Sequence, residues 1–430
     1  MSNPYPQSPP PRYSIASTGR SSTSSTRRSS TSSTAPLQPP SPTEHKRYEQ
    51  SHYPQEQQQD RTESKTPSKC FASRCNRPFI QRVLNIFLIF SVTLFAVSIV
   101  HFLIDFSKRR DSGMPRKVLA NFPDPGLLAY NGTWYAFGTN PTVNDDDDDT
   151  KFHVPVAMPV GGSDDRDGGF FGEWKHTGRD ALPEVAMWET KRDHWAPDVI
   201  TKADGRHLLY YSGEIDIWRH HHCIGVAVSE STDPVGPYKP EGTYLTCPLE
   251  YGGGIHPSAI IDADGTIYIV YKGDGNSMNR NSGNCSDATP PFKPTPLLLQ
   301  KMKPDGTRLD GEPVQILDRL EKEDGPLIEA PNLVRSADGV YFLFYSSHCS
   351  ESRDYDVKYA TAREIAGPYT RAKKPLLKSG DFGLVSPGGA TVSKDGKKIV
   401  FHADCAEGRC MWVGAIELKG TDAKIIRSAS

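Results

Sequence analysis

The chain has 430 residues, with 50 Lys and Arg against 52 Asp and Glu, a formal net charge of −2, and 36% hydrophobic residues. This length admits one large folded domain plus a non-folded remainder, and the charge balance gives no electrostatic case for a nucleic-acid partner. The total hides two unlike parts: residues 1–82 carry twelve Lys/Arg against five Asp/Glu, whereas the residues after 104 carry 38 against 47.

Residues 1–82 are dominated by Ser, Thr, Pro and Gln, as in Arg20-Ser21-Ser22-Thr23-Ser24-Ser25-Thr26. Aliphatic residues are too sparse there to offset the entropy of ordering, so this segment reads as a disordered tail, its basic residues too dispersed for a nucleic-acid site. Residues 83–104 contain no charged side chain and include Ile86-Phe87-Leu88-Ile89-Phe90, long enough for one transmembrane helix. The basic residues flanking this span are nearly balanced and do not orient it. Two glycosylation acceptors, Asn131-Gly132-Thr133 and Asn284-Cys285-Ser286, and six of the eight cysteines lie C-terminal to it. They favour a cytosolic tail and a luminal or extracellular domain, a type II arrangement in the secretory pathway or at the cell surface. Cys405 and Cys410 would close one small disulfide loop; buried thiols are the plainer alternative for the six, and Cys70 and Cys75 beside the span are candidates for acylation. Residues 105–118 form a basic linker whose Lys108-Arg109-Arg110 is either a stop-transfer anchor or a cleavage site that would release the domain.

From 119 to 430 short strands alternate with Gly, Pro, Asp and Asn, an all-β pattern. Five Gly turns lead into Tyr- and aliphatic-rich strands: Asn131-Gly132, Asp204-Gly205, Asp264-Gly265, Asp338-Gly339 and Asp395-Gly396. Their glycines are 57 to 74 residues apart, the length of a four-stranded blade with decorated loops, which predicts a five-bladed β-propeller. Gly236-Pro237-Tyr238 and Gly367-Pro368-Tyr369 repeat at the same place in two copies. Upstream of the first four turns, at offsets of seven to ten residues, stand Asp124, Asp198, His256 and Glu329. In a propeller this places them on the inner strands, facing one axis. Two carboxyl groups across a narrow channel suit glycosidic bond cleavage, in which one protonates the departing oxygen and the other, ionised, activates water.

Phe122-Pro123-Asp124-Pro125-Gly126 with Trp134-Tyr135-Ala136-Phe137-Gly138-Thr139, then Trp195-Ala196-Pro197-Asp198-Val199, then Ile328-Glu329-Ala330-Pro331 resemble successive blade motifs of glycoside hydrolase family 43. The resemblance implies a five-bladed propeller acting on arabinofuranosides or β-xylosides in an oligo- or polysaccharide. It makes Asp124 the base and Glu329 the acid of an inverting hydrolysis, with no cofactor. The family normally carries a third carboxylate before a proline in the third blade; here Gly254-Ile255-His256-Pro257 puts His256 there. A catalytically impaired carbohydrate-binding propeller is therefore the alternative, and a Golgi-type glycosyltransferase fits the anchor but lacks a nucleotide-sugar motif.

Trp195 and Asp198 beside the channel are candidate substrate contacts, as is His402 in the fifth blade, to which no metal is assigned. Trp188 and Trp218 offer further flat faces, with blade packing as the plainer reading. The run Asp145 to Asp149 lacks the spaced Gly and Glu of a cation loop and reads as a solvated loop. His220-His221-His222 cannot all face one ion on a regular strand and is placed in a loop at the channel mouth.

Overall fold

The computed structural model describes residues 77–111, 115–140, 152–161, 167–278, 285 and 290–427. A helix, α1, runs from Arg77 to Asp111, and its stretch Gln81–His101, of mean hydropathy 2.6, is long and apolar enough to cross a membrane. The helix outruns the apolar span at both ends because no Gly or Pro interrupts residues 79–111; Pro78 stands in its first turn and Gly113 just past its end. Lys108-Arg109-Arg110 thus belongs to the last turn of α1 rather than to a linker. The acidic run Asp145 to Asp149, Asn284, Cys70 and Cys75 lie outside the described residues.

The strands that follow begin with β1 (Arg116–Leu119). The first blade is β2 (Gly126–Tyr130), β3 (Thr133–Phe137), β4 (Pro155–Pro159) and β5 (Trp174–Asp180), and the second β6 (Trp195–Thr201), β7 (His207–Glu214), β8 (His222–Ser229) and β9 (Tyr238–Pro240). The third is β10 (Gly254–Ile261), β11 (Ile267–Gly273), β12 (Leu297–Lys301) and β13 (Val314–Leu317). The fourth is β14 (Ile328–Arg335), β15 (Tyr341–Ser347) and β16 (Asp356–Ala362), with β16 flanked by the short β17 (Thr370–Arg371) and β18 (Leu377–Lys378). The fifth is β19 (Gly388–Val392), β20 (Lys398–Cys405), β21 (Gly408–Lys419) and β22 (Asp422–Ile426). Every blade is antiparallel, and each of the five Gly turns joins a blade's first strand to its second.

The ring closes through β21, which pairs with β1 over Met411 to Val413 and with β22 over Ala415 to Lys419. The propeller therefore starts at Arg116, three residues before the expected boundary, since its first strand completes its last blade. Five apolar clusters fill the five gaps between neighbouring blades. This explains why the second strands read as continuous apolar runs: Leu208 and Tyr210 face the third blade while Leu209 and Tyr211 face the first. Each such side chain contributes roughly 1.5–3 kcal/mol by burial.

All six cysteines after α1 are paired, Cys223 with Cys247, Cys285 with Cys349 and Cys405 with Cys410, so the buried-thiol alternative does not hold. Asn131 is exposed at the tip of the β2–β3 turn.

Candidate active site

The inner edge of every blade repeats one local device. A residue in the left-handed region precedes a proline at Asp124-Pro125, Ala196-Pro197, His256-Pro257, Ala330-Pro331 and Ser386-Pro387, with φ of 49°, 46°, 56°, 49° and 49°. Such backbone costs of order 1–3 kcal/mol per non-glycine residue, and proline further disfavours helical geometry before it. The ladder slips across this point in the second, third and fourth blades, between Trp195 and Asp198, Ile255 and Ser258, and Glu329 and Asn332. These bulges re-aim side chains toward the axis. They also correct the register inferred from offsets to the Gly turns: Asp124 and His256 are true equivalents, Glu329 stands one residue before that position, and Asp198 two after it.

Asp124 is 8% exposed. Its Oδ2 accepts from the Thr139 hydroxyl at 2.7 Å, and Nη1 of Arg409 lies 3.3 Å from Oδ2 and 3.5 Å from Oδ1. Nδ1 of His402 sits 3.2 Å from both the Asp124 amide nitrogen and Oδ1. Burial by itself would raise the Asp124 carboxyl, but the Arg409 guanidinium and then His402 outweigh it and hold the group well below the usual carboxylate range. Asp124 is therefore ionised near neutral pH.

Glu329 is 6% exposed and accepts two hydrogen bonds, from Nζ of Lys272 to Oε2 at 3.0 Å and from the Tyr355 hydroxyl to Oε1 at 2.9 Å. Burial pushes its carboxyl up, yet Lys272 and then His256 pull it below its ordinary value. Burial likewise drives the His256 imidazole down despite the Glu329 and Asp124 carboxylates, so His256 is neutral at pH 7 and Lys272 supplies the fixed positive charge.

The two carboxylates belong to one ring of contacts. Asp124 touches His402, the His402 ring stacks on Tyr355 with centroids 5.7 Å apart and planes 12° apart, and Tyr355 holds Glu329. Glycine makes room for this ring: a β-carbon at Gly388 would overlap the Tyr355 ring, and one at Gly389 would come within 2.8 Å of Asp124 Oδ1 and 2.7 Å of His402 Nδ1. Asp124, Asp198 and His256 line a cavity of about 30 Å³ on the axis, with Ala196, Ala330 and Gly389. A groove of about 1200 Å³ runs between the outer edges of the fourth and fifth blades and includes none of these residues.

The candidate substrate contacts divide. Trp195 is half-buried and stacks on His222, centroids 3.8 Å apart, and is absent from the lining of the axial cavity. His402 is wholly buried behind Asp124, with its ring nitrogen against that carboxylate and no surface exposed to the channel. Asp198 also turns inward: Oδ2 accepts from Ser258 Oγ at 3.0 Å and from the Ala259 amide at 2.7 Å, lacing the second blade to the third. His222 is buried in β8, not in a mouth loop, and burial pushes its imidazole down to about 3. Trp188 packs between the first two blades, stacked on Tyr211, whereas Trp218 is 46% exposed. Cys405, Glu407 and Cys410 cluster at the β20–β21 tip, but the two sulfurs are bonded to each other and leave no thiolate for a metal.

The sequence profile described as Glycosyl hydrolases family 43 matches residues 118–413. The chain belongs to that family. The family 43 domain is 24% identical over 290 residues to the extracellular endo-α-(1→5)-L-arabinanase 2 of Bacillus subtilis, covering 61% of this chain and 55% of the relative. It is 27% identical over 226 residues to a β-D-galactofuranosidase of Aspergillus niger, covering 50% of this chain and 58% of the relative. The chain spans about half the length of the curated relatives it matches. A thermostable family 43 glycoside hydrolase of known structure superposes with a TM-score of 0.58 at 23% identity, over 74% of this chain and 98% of the other, which establishes the shared fold.

Sequence reasoning missed Lys272, Tyr355, Arg409 and the Gly388-Gly389 pair. Lys272 had a signal, a lone cation in the apolar strand Tyr268-Ile269-Val270-Tyr271. Arg409 had a weaker one, its place inside the Cys405–Cys410 loop. Tyr355 follows an irregular loop and had none.

Proposed function

We propose that the family 43 domain hydrolyses α-L-arabinofuranosyl (arabinan-type) or β-xylosyl linkages by direct displacement with inversion. Glu329, once protonated, gives its proton to the departing glycosidic oxygen as the bond to the anomeric carbon breaks. Water attacks that carbon from the opposite face and loses a proton to Asp124, so one water is consumed and both carboxyls are restored by proton exchange with solvent. The observation that carries this reading is the Asp124–His402–Tyr355–Glu329 ring, which fixes two carboxylates of unlike surroundings on one axis. The arabinanase and galactofuranosidase relatives support a furanoside substrate.

A second reading has its own observation. Glu329 is held as a carboxylate by Lys272, with His256 where a third acid would stand, which suits a propeller that binds glycan without cleaving it. Hydrolysis of arabinan, xylan and galactofuranosyl oligosaccharides by the full chain in detergent, beside Asp124→Asn and Glu329→Gln, separates the two. Wild-type turnover lost in both variants supports hydrolysis; no turnover at any pH with binding retained in both supports the second reading. The apolar helix and the three disulfides support a secreted or membrane-anchored protein, and we place the domain on the luminal or extracellular side, with the basic run at 108–110 as a point where it can be released.

A further inference from the structure

Lys272 is the penultimate residue of β11 and its side chain is 0% exposed. Strand alternation puts it on the same face as Val270, which packs toward the fourth blade, and so aims its ammonium at Glu329. A wholly desolvated ammonium costs several kcal/mol unless it is paired. Nζ lies 3.0 Å from Glu329 Oε2 and 3.1 Å from Asp274 Oδ1, the latter side chain only 3% exposed. The three make a buried triad with one cation between two carboxylates. From the other elements packed on Glu329 come the Tyr355 hydroxyl and the His256 ring, and beyond them Asp124 with His402 and Arg409. Lys272 is the one of these groups that puts a permanent positive charge in hydrogen-bond contact with the acid.

We propose that Lys272 is a positioning residue that governs when Glu329 carries a proton, with Asp274 setting how much of the lysine's charge reaches it. The proposal rests on the hydrolytic reading above for its consequence: cleavage needs protonated Glu329, so the domain works on the acidic side of neutrality and its activity is lost as pH rises through the protonation midpoint of Glu329. Both partners agree in direction, since the two carboxylates hold the Lys272 ammonium above its ordinary value against the opposing effect of burial. Glu329 takes its proton from solvent, passes it to the leaving oxygen and returns to the Lys272 pair; Lys272 itself transfers nothing.

The two neighbours predict opposite effects. Lys272→Met removes the cation and raises the Glu329 midpoint by about 1 to 3 units, while Asp274→Asn leaves the whole lysine charge on Glu329 and lowers it. The experiment is infrared difference spectroscopy of the full chain in detergent across pH, following the protonated carboxyl band that is missing from Glu329→Gln. The basic limb of kcat/KM against pH is recorded on the same samples and should move with the band, up for Lys272→Met and down for Asp274→Asn. A folded Lys272→Met with the wild-type midpoint overturns the proposal, as does a fall in activity at every pH with no movement of the limb. If Lys272→Met alone does not fold because Asp274 is left unpaired, Lys272→Met/Asp274→Asn removes both charges, and a midpoint there equal to wild type is equally damaging. A band that moves as predicted in variants and wild type that never hydrolyse any substrate leaves the triad standing and sinks the hydrolytic reading instead.

Discussion

Gly388→Ala offers a test of the contact ring that needs no change to either carboxylate. The new methyl would overlap the Tyr355 ring, so Tyr355 must swing away from His402 and from Glu329. Overpacking of this kind costs about 1–3 kcal/mol of stability. The lost hydrogen bond from the Tyr355 hydroxyl to a charged acceptor is worth about 1.5–3 kcal/mol, and a catalytic group displaced by about 1 Å loses about a hundredfold in rate. A hundredfold is about 2.7 kcal/mol, inside the range set by the hydrogen bond alone. Steady-state kinetics on an arabino-oligosaccharide, with thermal unfolding as the control for folding, should therefore show kcat/KM down by about 10²-fold in Gly388→Ala. Tyr355→Phe keeps the ring and its stack on His402 and loses only the hydroxyl, so it should fall by more than about tenfold but by less than Gly388→Ala. A folded Gly388→Ala with wild-type activity refutes the reasoning, and so does Tyr355→Phe as the more damaging of the two.

Arg409→Met should raise the Asp124 protonation midpoint and move the acidic limb of kcat/KM upward by about one unit, the limb opposite to that governed by Lys272, with the partly exposed guanidinium limiting the size. Breaking the Cys405–Cys410 loop with Cys405→Ser should loosen Arg409 and shift the same limb in the same direction, with little loss of stability because so short a loop restrains the unfolded chain weakly. His222 is buried neutral with its imidazole pushed down to about 3, against about 6.5 when unfolded, so between these values the unfolded chain binds the extra proton and stability rises with pH. Acidification from 6.5 toward 3 should cost roughly 4–5 kcal/mol through this group alone; His222→Phe, which keeps the stack on Trp195, should flatten that slope in urea unfolding read by tryptophan fluorescence, and an unchanged slope counts against it. The full chain should stay with membranes through alkaline carbonate extraction and be released when residues 81–101 are deleted, and Asn131→Gln should lower its mass after secretory expression by one glycan.

Architecture was legible because a propeller writes itself into sequence five times. The Gly turns mark the first hairpin of each blade, and the second strands, buried on both faces, are apolar without interruption. The positions of the candidate residues were legible where they share that repeat: Asp124 and His256 each precede a proline at the inner edge of a blade, and Glu329 stands one residue before the equivalent place. Distance to the Gly turn was too coarse a ruler: an offset of seven to ten residues admits Asp198, which lies two residues past the pre-proline position held by Ala196 in its own blade. His402 was legible as a channel candidate, but its burial behind Asp124 depends on how the fifth blade packs and leaves no signal along the chain. Lys272, Tyr355 and Arg409 come from a second strand, a loop and a hairpin end on the third, fourth and fifth blades. Their convergence is a property of the closed ring, and no local pattern along the chain encodes it.

The account turns on Glu329 as the acid that protonates the leaving oxygen and Asp124 as the base that does not. The most direct measurement is the dependence of each variant's rate on the leaving group, comparing a dinitrophenyl glycoside, which departs without a proton, with the natural sugar linkage. Glu329→Gln should retain most of its rate on the dinitrophenyl substrate while losing about 10²–10⁴-fold on the oligosaccharide, and Asp124→Asn should lose comparably on both. Equal losses for Glu329→Gln on the two substrates would contradict the assignment.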